Sequence, residues 1–138
     1  MENYLMGIRT ILDANFDFEI VDEFFDHYSM MIESMEVMIL DLNKPTEYSR
    51  SIEELFRVFH NIKSASGYLK MIPMAKLAAF VEDALEELRT TDALANDDII
   101  TWLLEISDMF AQWQDDLKLD NDLSHIKYSL LKIPELTK

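Results

Sequence analysis

The side chains best suited to chemistry are gathered in residues 53–80, "EELFRVFHNIKSASGYLKMIPMAKLAAF". His60 lies near the centre, with Phe56 four residues before it and Lys63, Ser64 and Gly67 three, four and seven after it. At about 100° per residue these spacings bring all five to one face of a helix. The apolar stripe of Ile52, Leu55, Phe59, Ile62, Ser66 and Leu69 marks the opposite face, so His60 is expected to point to solvent, about 160° from the core direction. An exposed imidazole with one ring nitrogen held and the other free is a nucleophile that can take a phosphoryl group and pass it on. A lysine one turn along can neutralise phosphoryl oxygens, and small residues such as Ser64 and Gly67 let a second protein bring its own groups into line. A mid-helix glycine costs about 1 kcal/mol relative to alanine, and close approach by a partner is the expected reason for Gly67. Phe56 on this face is an expected partner contact, the alternative being that it turns inward at the bundle edge.

Local charge points the same way. The chain holds 12 Lys and Arg against 27 Asp and Glu, a formal charge of −15. Yet no acidic residue occurs from Leu55 to Val81, a window that carries Arg57, Lys63, Lys70 and Lys76. An anion is steered to such a positive region, and Arg57 joins the docking face. Elsewhere the acidic surface repels nucleic acid and anionic lipid, so neither is an expected partner. Two glycines leave no material for a phosphate-cradling loop of the GxxxxGK[ST] or GxGxxG type, and no intrinsic cofactor is expected. The absence of cysteine excludes disulfides and thiolate metal sites. His27, close to Glu23 and Asp26, invites a metal reading, but di-metal bundles repeat Glu-x-x-His and this sequence contains none. No metal site is expected. His125 has no supporting constellation, and no Ser/His/Asp arrangement is found, because the serines near His60 share its helix.

The elements that must position this face are helical. A chain of 138 residues, 49% hydrophobic and 28% charged, has the balance of one globular domain over 1–138. Apolar residues recur at three and four, interrupted by Pro45, Pro73 and Pro134. A long helix is expected from Phe16 to about Leu42, with Ile20, Phe24, Tyr28, Met31, Met35, Met38 and Leu42 inward. Thr46 is a candidate cap for a second, reaching about Lys70. Pro73 falls in the first turn of a third, which buries Leu77, Val81, Ala84 and Leu88 and ends between Thr90 and Asp92. Asn96 or Asp97 caps a fourth with Ile99, Ile100, Leu103, Ile106, Phe110, Trp113 and Leu117 inward. A short fifth is expected from about Asn121 to Lys132, ahead of a tail over 133–138. Residues 1–15, with Leu5, Ile8, Ile11 and Leu12, are expected to add a turn or two of helix.

Short connections between long amphipathic helices imply antiparallel neighbours. The expected fold is therefore all-α, an up-and-down antiparallel four-helix bundle with an additional terminal helix. Its third helix can place Glu82 beside His60, where a carboxylate accepts the Nδ1 proton and leaves Nε2 as the nucleophile. No apolar run reaches the 18 residues of a membrane span, and the N-terminus lacks a signal peptide's basic region. A cytoplasmic location without membrane insertion is expected, and the opening Met1 favours a free-standing chain.

His60-Asn61-Ile62-Lys63-Ser64-Ala65-Ser66-Gly67 resembles the HxxKG signature of histidine-containing phosphotransfer (HPt) domains, above all the N-terminal phosphotransfer domain of CheA-type chemotaxis kinases. The similarity extends through "FDFEIVDEFFDHYSMMIESMEVMILDL", "FVEDALEEL" and "DDIITWLLEISDMF" and covers roughly Phe16 to Lys132. The resemblance implies a helical bundle whose phosphorylatable histidine falls on His60, its conserved lysine on Lys63 and its histidine-binding glutamate on Glu82. Two positions depart from the pattern: Ser64 and Lys70 stand where glycines are common. The ATP-binding and dimerisation domains of such kinases have no counterpart here, so the resemblance implies a carrier without kinase activity. Its partners would be a histidine kinase catalytic domain and a response-regulator receiver domain, with any Mg²⁺ on the partner's side. The alternative is a helical adaptor that is not phosphorylated and regulates such a partner by occupancy.

Overall fold

The computed structural model describes residues 7–91 and 94–135. It is all-helical: α1 (Ile8–Asn15), α2 (Phe18–Leu40), α3 (Tyr48–Tyr68), α4 (Ile72–Arg89) and α5 (Asp97–Leu119), with 3₁₀ turns at Asp41–Asn43 and Tyr128–Leu131. The four long helices form the bundle. α2 packs on α3 and α5, α3 packs most extensively on α4, and α1 lies against α2 and α5. Among the described residues, no helix is long and apolar enough to cross a membrane.

Every inward residue expected in α3, α4 and α5 is buried. At the centre Phe110 meets Phe59 and Trp113 edge-on, with ring centroids 5.4 and 5.1 Å apart. The Tyr28 hydroxyl donates to the Phe110 carbonyl oxygen at 2.6 Å, which satisfies its one polar group inside the core.

α2 and the turn that follows it bury Phe24, Tyr28, Met35 and Leu42 as expected, but the stripe departs from the expected one at three places. Ile20 is exposed and Met31 and Met38 sit at the margin, while Val21, Ile32 and Ile39 are buried beside Phe24, Tyr28 and Met35. Apolar neighbours at 20/21, 31/32 and 38/39 allow the stripe either phase. At 31/32 and 38/39 burial of isoleucine costs less rotamer entropy than burial of methionine, and the stiffer side chain takes the inside.

The helix ends also need correction. α3 begins at Tyr48 without a side-chain cap, so Thr46 does not serve as one. Asn96 does cap α5, its Oδ1 accepting from the Ile99 N–H at 2.9 Å. The expected fifth helix over 121–132 is not formed beyond the 3₁₀ turn. Asp120 ends α5 in the left-handed region at φ 56° and turns the chain away. α5 then captures the outgoing strap: Asp116 Oδ2 accepts from the Ser124 N–H at 2.7 Å, Trp113 Nε1 donates to the Ser124 carbonyl at 2.8 Å, and Trp102 Nε1 donates to the Leu130 carbonyl at 2.9 Å. These bonds take up backbone groups that a helix would have paired with one another.

The N-terminal helix is present, although Leu5 lies outside the described residues. Thr10 donates to the Asp120 carboxylate through its N–H (2.9 Å) and its hydroxyl (2.5 Å), and the Ile8 N–H donates to the Asn121 carbonyl at 2.8 Å. Gly7 makes this docking sterically feasible, since a Cβ there would lie 1.6 Å from the Asp120 carbonyl oxygen.

A tight turn joins α3 to α4. The Met71 N–H donates to the Ser66 carbonyl at 2.9 Å and the Lys70 N–H to that of Gly67 at 3.1 Å, with Lys70 left-handed at φ 61°. Lys70 thus holds a conformation that glycine adopts at lower cost, which accounts physically for a glycine preference at this position. The turn sends α4 back along α3 and sets which residues face one another.

Candidate functional site

Two cross-helix pairs fix the α3/α4 register: His60 meets Glu82, and Glu53 meets Arg89, each member seven residues from its counterpart on the same helix. Seven residues are about two helical turns, so both pairs lie along one seam. His60 Nδ1 is 2.8 Å from Glu82 Oε2, and Lys63 Nζ is 2.6 Å from Glu82 Oε1. The imidazole side chain is 51% exposed and the lysine 38%, whereas the carboxylate side chain beneath them is 10% exposed.

This geometry sets the proton positions. Burial pushes the Glu82 carboxyl up, but the Lys63 ammonium paired with it and the hydrogen bond and charge of His60 outweigh it and hold the group below the ordinary glutamate range. An ionised carboxylate can only accept, so the hydrogen in the His60 bond sits on Nδ1. In the neutral ring the lone pair then belongs to Nε2. The arrangement can therefore present a nucleophilic nitrogen at a half-exposed position with a cation beside it.

The other residues singled out in the sequence surround this centre unequally. Phe56 is half-buried and packs against the core, so it is not a free solvent-facing ring. Its ring lies nearly parallel to His60, at 16° with centroids 6.2 Å apart. Arg57, Ser64 and Gly67 are exposed. A Cβ at Gly67 would meet nothing within 4 Å, so no internal packing requires glycine there. Ser64 also lines a groove of about 430 Å³ between α2 and α3, together with Phe24, His27, Asn61, Ala65 and Tyr68. His27 thus belongs to the groove, and among the described residues no cluster of three or more His, Asp or Glu side chains could hold a metal ion.

Sequence reasoning missed Arg89. Its guanidinium carbon stands 4.4 Å over the Phe56 ring centroid, while Nε and Nη1 donate to Glu53 Oε2 (3.2 Å) and Glu86 Oε1 (2.6 Å). The available signal was the seven-residue offset from Glu82, which places Arg89 on the same seam two turns along.

The Hpt domain family model matches residues 19–119, the span from α2 through α5. The chain belongs to the Hpt domain family. This Hpt domain is 28% identical over 116 residues to the chemotaxis protein CheA of Borreliella burgdorferi, and 24% identical over 104 residues to the CheA of Treponema pallidum. These alignments cover 81% and 75% of the chain but 13% of each relative, so the chain spans about an eighth of the length of the proteins it matches. No solved structure matches it. Membership supports a histidine phosphotransfer role in two-component signalling.

Proposed function

We propose that His60 is the phosphoryl carrier. It accepts a phosphoryl group from a histidine kinase catalytic domain or a receiver aspartate and delivers it to the aspartate of a response-regulator receiver domain. The observation that carries this reading is the Glu82–His60 contact, which accounts for an Nδ1–H tautomer on a half-exposed ring. The Nε2 lone pair attacks phosphorus as the phosphorus–oxygen bond to the donor breaks and the leaving group departs with that electron pair. Nδ1 keeps its hydrogen, donated to Glu82, so the phosphorylated ring carries an imidazolium charge that the Glu82 carboxylate offsets, and its positive ring is a good leaving group for the return step. Return to an aspartate forms a new phosphorus–oxygen bond and restores the Nε2 lone pair.

In this reading Lys63 neutralises the transferring oxygens, Glu82 orients the ring, and the open surface at Ser64 and Gly67 admits the partner, with Arg57 and Phe56 at its edge. The Mg²⁺ that phosphoryl chemistry uses would sit in the kinase or receiver site. The two relatives named as chemotaxis proteins favour a chemotaxis output in the cytoplasm.

Intact-mass measurement after incubation with phosphoramidate, on the wild type and His60→Gln in parallel, tests the proposal. One acid-labile phosphoryl group that requires His60 and moves to an added receiver domain is expected. A folded wild type that gains no such group, also with a cognate kinase, would replace the carrier by an adaptor acting through occupancy.

A further inference from the structure

Beyond this reading, and resting on His60 as its nucleophile, we infer that Arg89 is a positioning residue that acts through Phe56 to hold the His60 ring. One hydrogen bond leaves an imidazole free to swing about it. Nδ1 is tied to Glu82 at 2.8 Å, but that contact fixes an edge of the ring and not its plane. The second constraint is the face of Phe56, one helical turn back, nearly parallel to His60 at 16°. At 6.2 Å between centroids the pair lies near the outer limit of ring contact, so the attraction is weak and the effect is to limit the ring on one side.

A limit works only if it is itself held, and Phe56 is held from outside. The Arg89 guanidinium lies 4.4 Å over its centroid, within cation–π range. The guanidinium is fixed in turn by carboxylates from both helices, Glu53 of α3 and Glu86 of α4, at 3.2 and 2.6 Å. A planar fork with two acceptors and an aromatic face suits arginine and not lysine. The stack Arg89–Phe56–His60 therefore joins the two ends of the seam. Glu82 sets the tautomer, and Arg89, two turns along α4, sets the plane.

The tests separate this role from docking and from failure of the carrier reading. Phosphoramidate is too small to need a docking surface, so a defect with this donor does not arise from lost partner contacts. Arg89→Ala, Arg89→Lys and Phe56→Leu are expected to slow His60 phosphorylation about two- to fivefold, the range a partly exposed cation–π contact supports, and Phe56→Tyr to restore the rate. The signature that a merely structural role would not move is the mobility of the His60 ring. ¹³C relaxation of its C–H groups in the unphosphorylated protein, measured well below each variant's Tm, should show larger-amplitude motion in the three slow variants and not in Phe56→Tyr. Wild-type ring order in folded Arg89→Ala and Phe56→Leu would overturn the inference, whatever the phosphorylation rates. Because the ring is observed without a phosphoryl group, this result stands even if His60→Gln reveals no histidine-dependent phosphorylation in the wild type, which would defeat the carrier reading separately.

Discussion

Glu82→Gln is the most informative single change, because it keeps the shape of a side chain whose two oxygens serve different donors. In the native site Oε2 takes the His60 Nδ1 hydrogen and Oε1 is ion-paired with the Lys63 ammonium. Glutamine offers one acceptor oxygen and one donor amide, so it can serve either His60 or Lys63 while its NH₂ faces the other donor. Hydrogen bonds involving charged groups contribute about 1.5–3 kcal/mol when buried. Here His60 is 51% exposed and Lys63 38%, so water recovers much of that loss. A net cost of about 1 kcal/mol remains, equivalent to roughly 4 °C in Tm for a domain of this size. If the same amount is the bias toward the Nδ1–H tautomer, its loss slows Nε2 attack about fivefold. Intact-mass kinetics with phosphoramidate, melting by circular dichroism and ¹⁵N detection of the His60 tautomer read the three quantities. A folded variant with wild-type rate and wild-type tautomer would refute the claim that Glu82 sets the nucleophilic nitrogen.

Gly67→Ala should raise Tm, since its Cβ enters open space and alanine favours the helix by up to about 1 kcal/mol. The phosphoramidate reaction should be unchanged while transfer to a receiver slows, and equal transfer rates would remove Gly67 from the docking surface. Gly7→Ala should lower Tm by the equivalent of about 1–3 kcal/mol of overpacking, because its Cβ falls 1.6 Å from the Asp120 carbonyl oxygen. Wild-type melting would show that the α1 contact is not constrained there. Acid should destabilise the fold: Glu82 and Asp120 are both held below their ordinary values, so the unfolded chain takes up protons first and their contribution, full above the unfolded pKa, is lost as pH falls through the folded one. Glu82→Gln should flatten that acid limb in pH-dependent urea melts, and an unchanged slope would contradict the assignment. Ser64→Glu puts a carboxylate about 6 Å from His60, worth about 0.7 kcal/mol per unit charge in water and so about a threefold slowing with an anionic donor. The slowing should fade with salt and be absent in Ser64→Gln, and identical behaviour of the two variants would rule out a charge effect.

The bundle was legible in the sequence wherever one helical phase was clearly better than the other. α3, α4 and α5 separate apolar from polar residues cleanly, and their inward residues follow from spacing alone. α2 has apolar neighbours at three places along its stripe, and at two of them, 31/32 and 38/39, the entropy difference between methionine and isoleucine favours burying the isoleucine, a preference that spacing does not contain. The C-terminal segment has helical spacing too. What overrides it is long-range: Asp116 and two tryptophans of α5 satisfy the strap's backbone groups. At the site, the relation of Glu82 to His60 needed only antiparallel helices of roughly known length. The Arg89 stack needed the exact register, which depends on the left-handed turn at Lys70.

That register also reconciles two opposed demands on the site. Fixing the imidazole tautomer requires a carboxylate within hydrogen-bond reach, yet an approaching phosphoryl anion is repelled by negative charge on the surface it meets. A carboxylate on α3 beside His60 would satisfy the first demand and violate the second. Placing it on α4 removes the conflict: the window 55–81 stays free of acid, and Glu82, the first residue past it, supplies its charge from below. Lys63 pairs with that buried charge at 2.6 Å while keeping 38% of its side chain exposed. The same ammonium can therefore offset Glu82 in the resting site and the phosphoryl oxygens once they arrive.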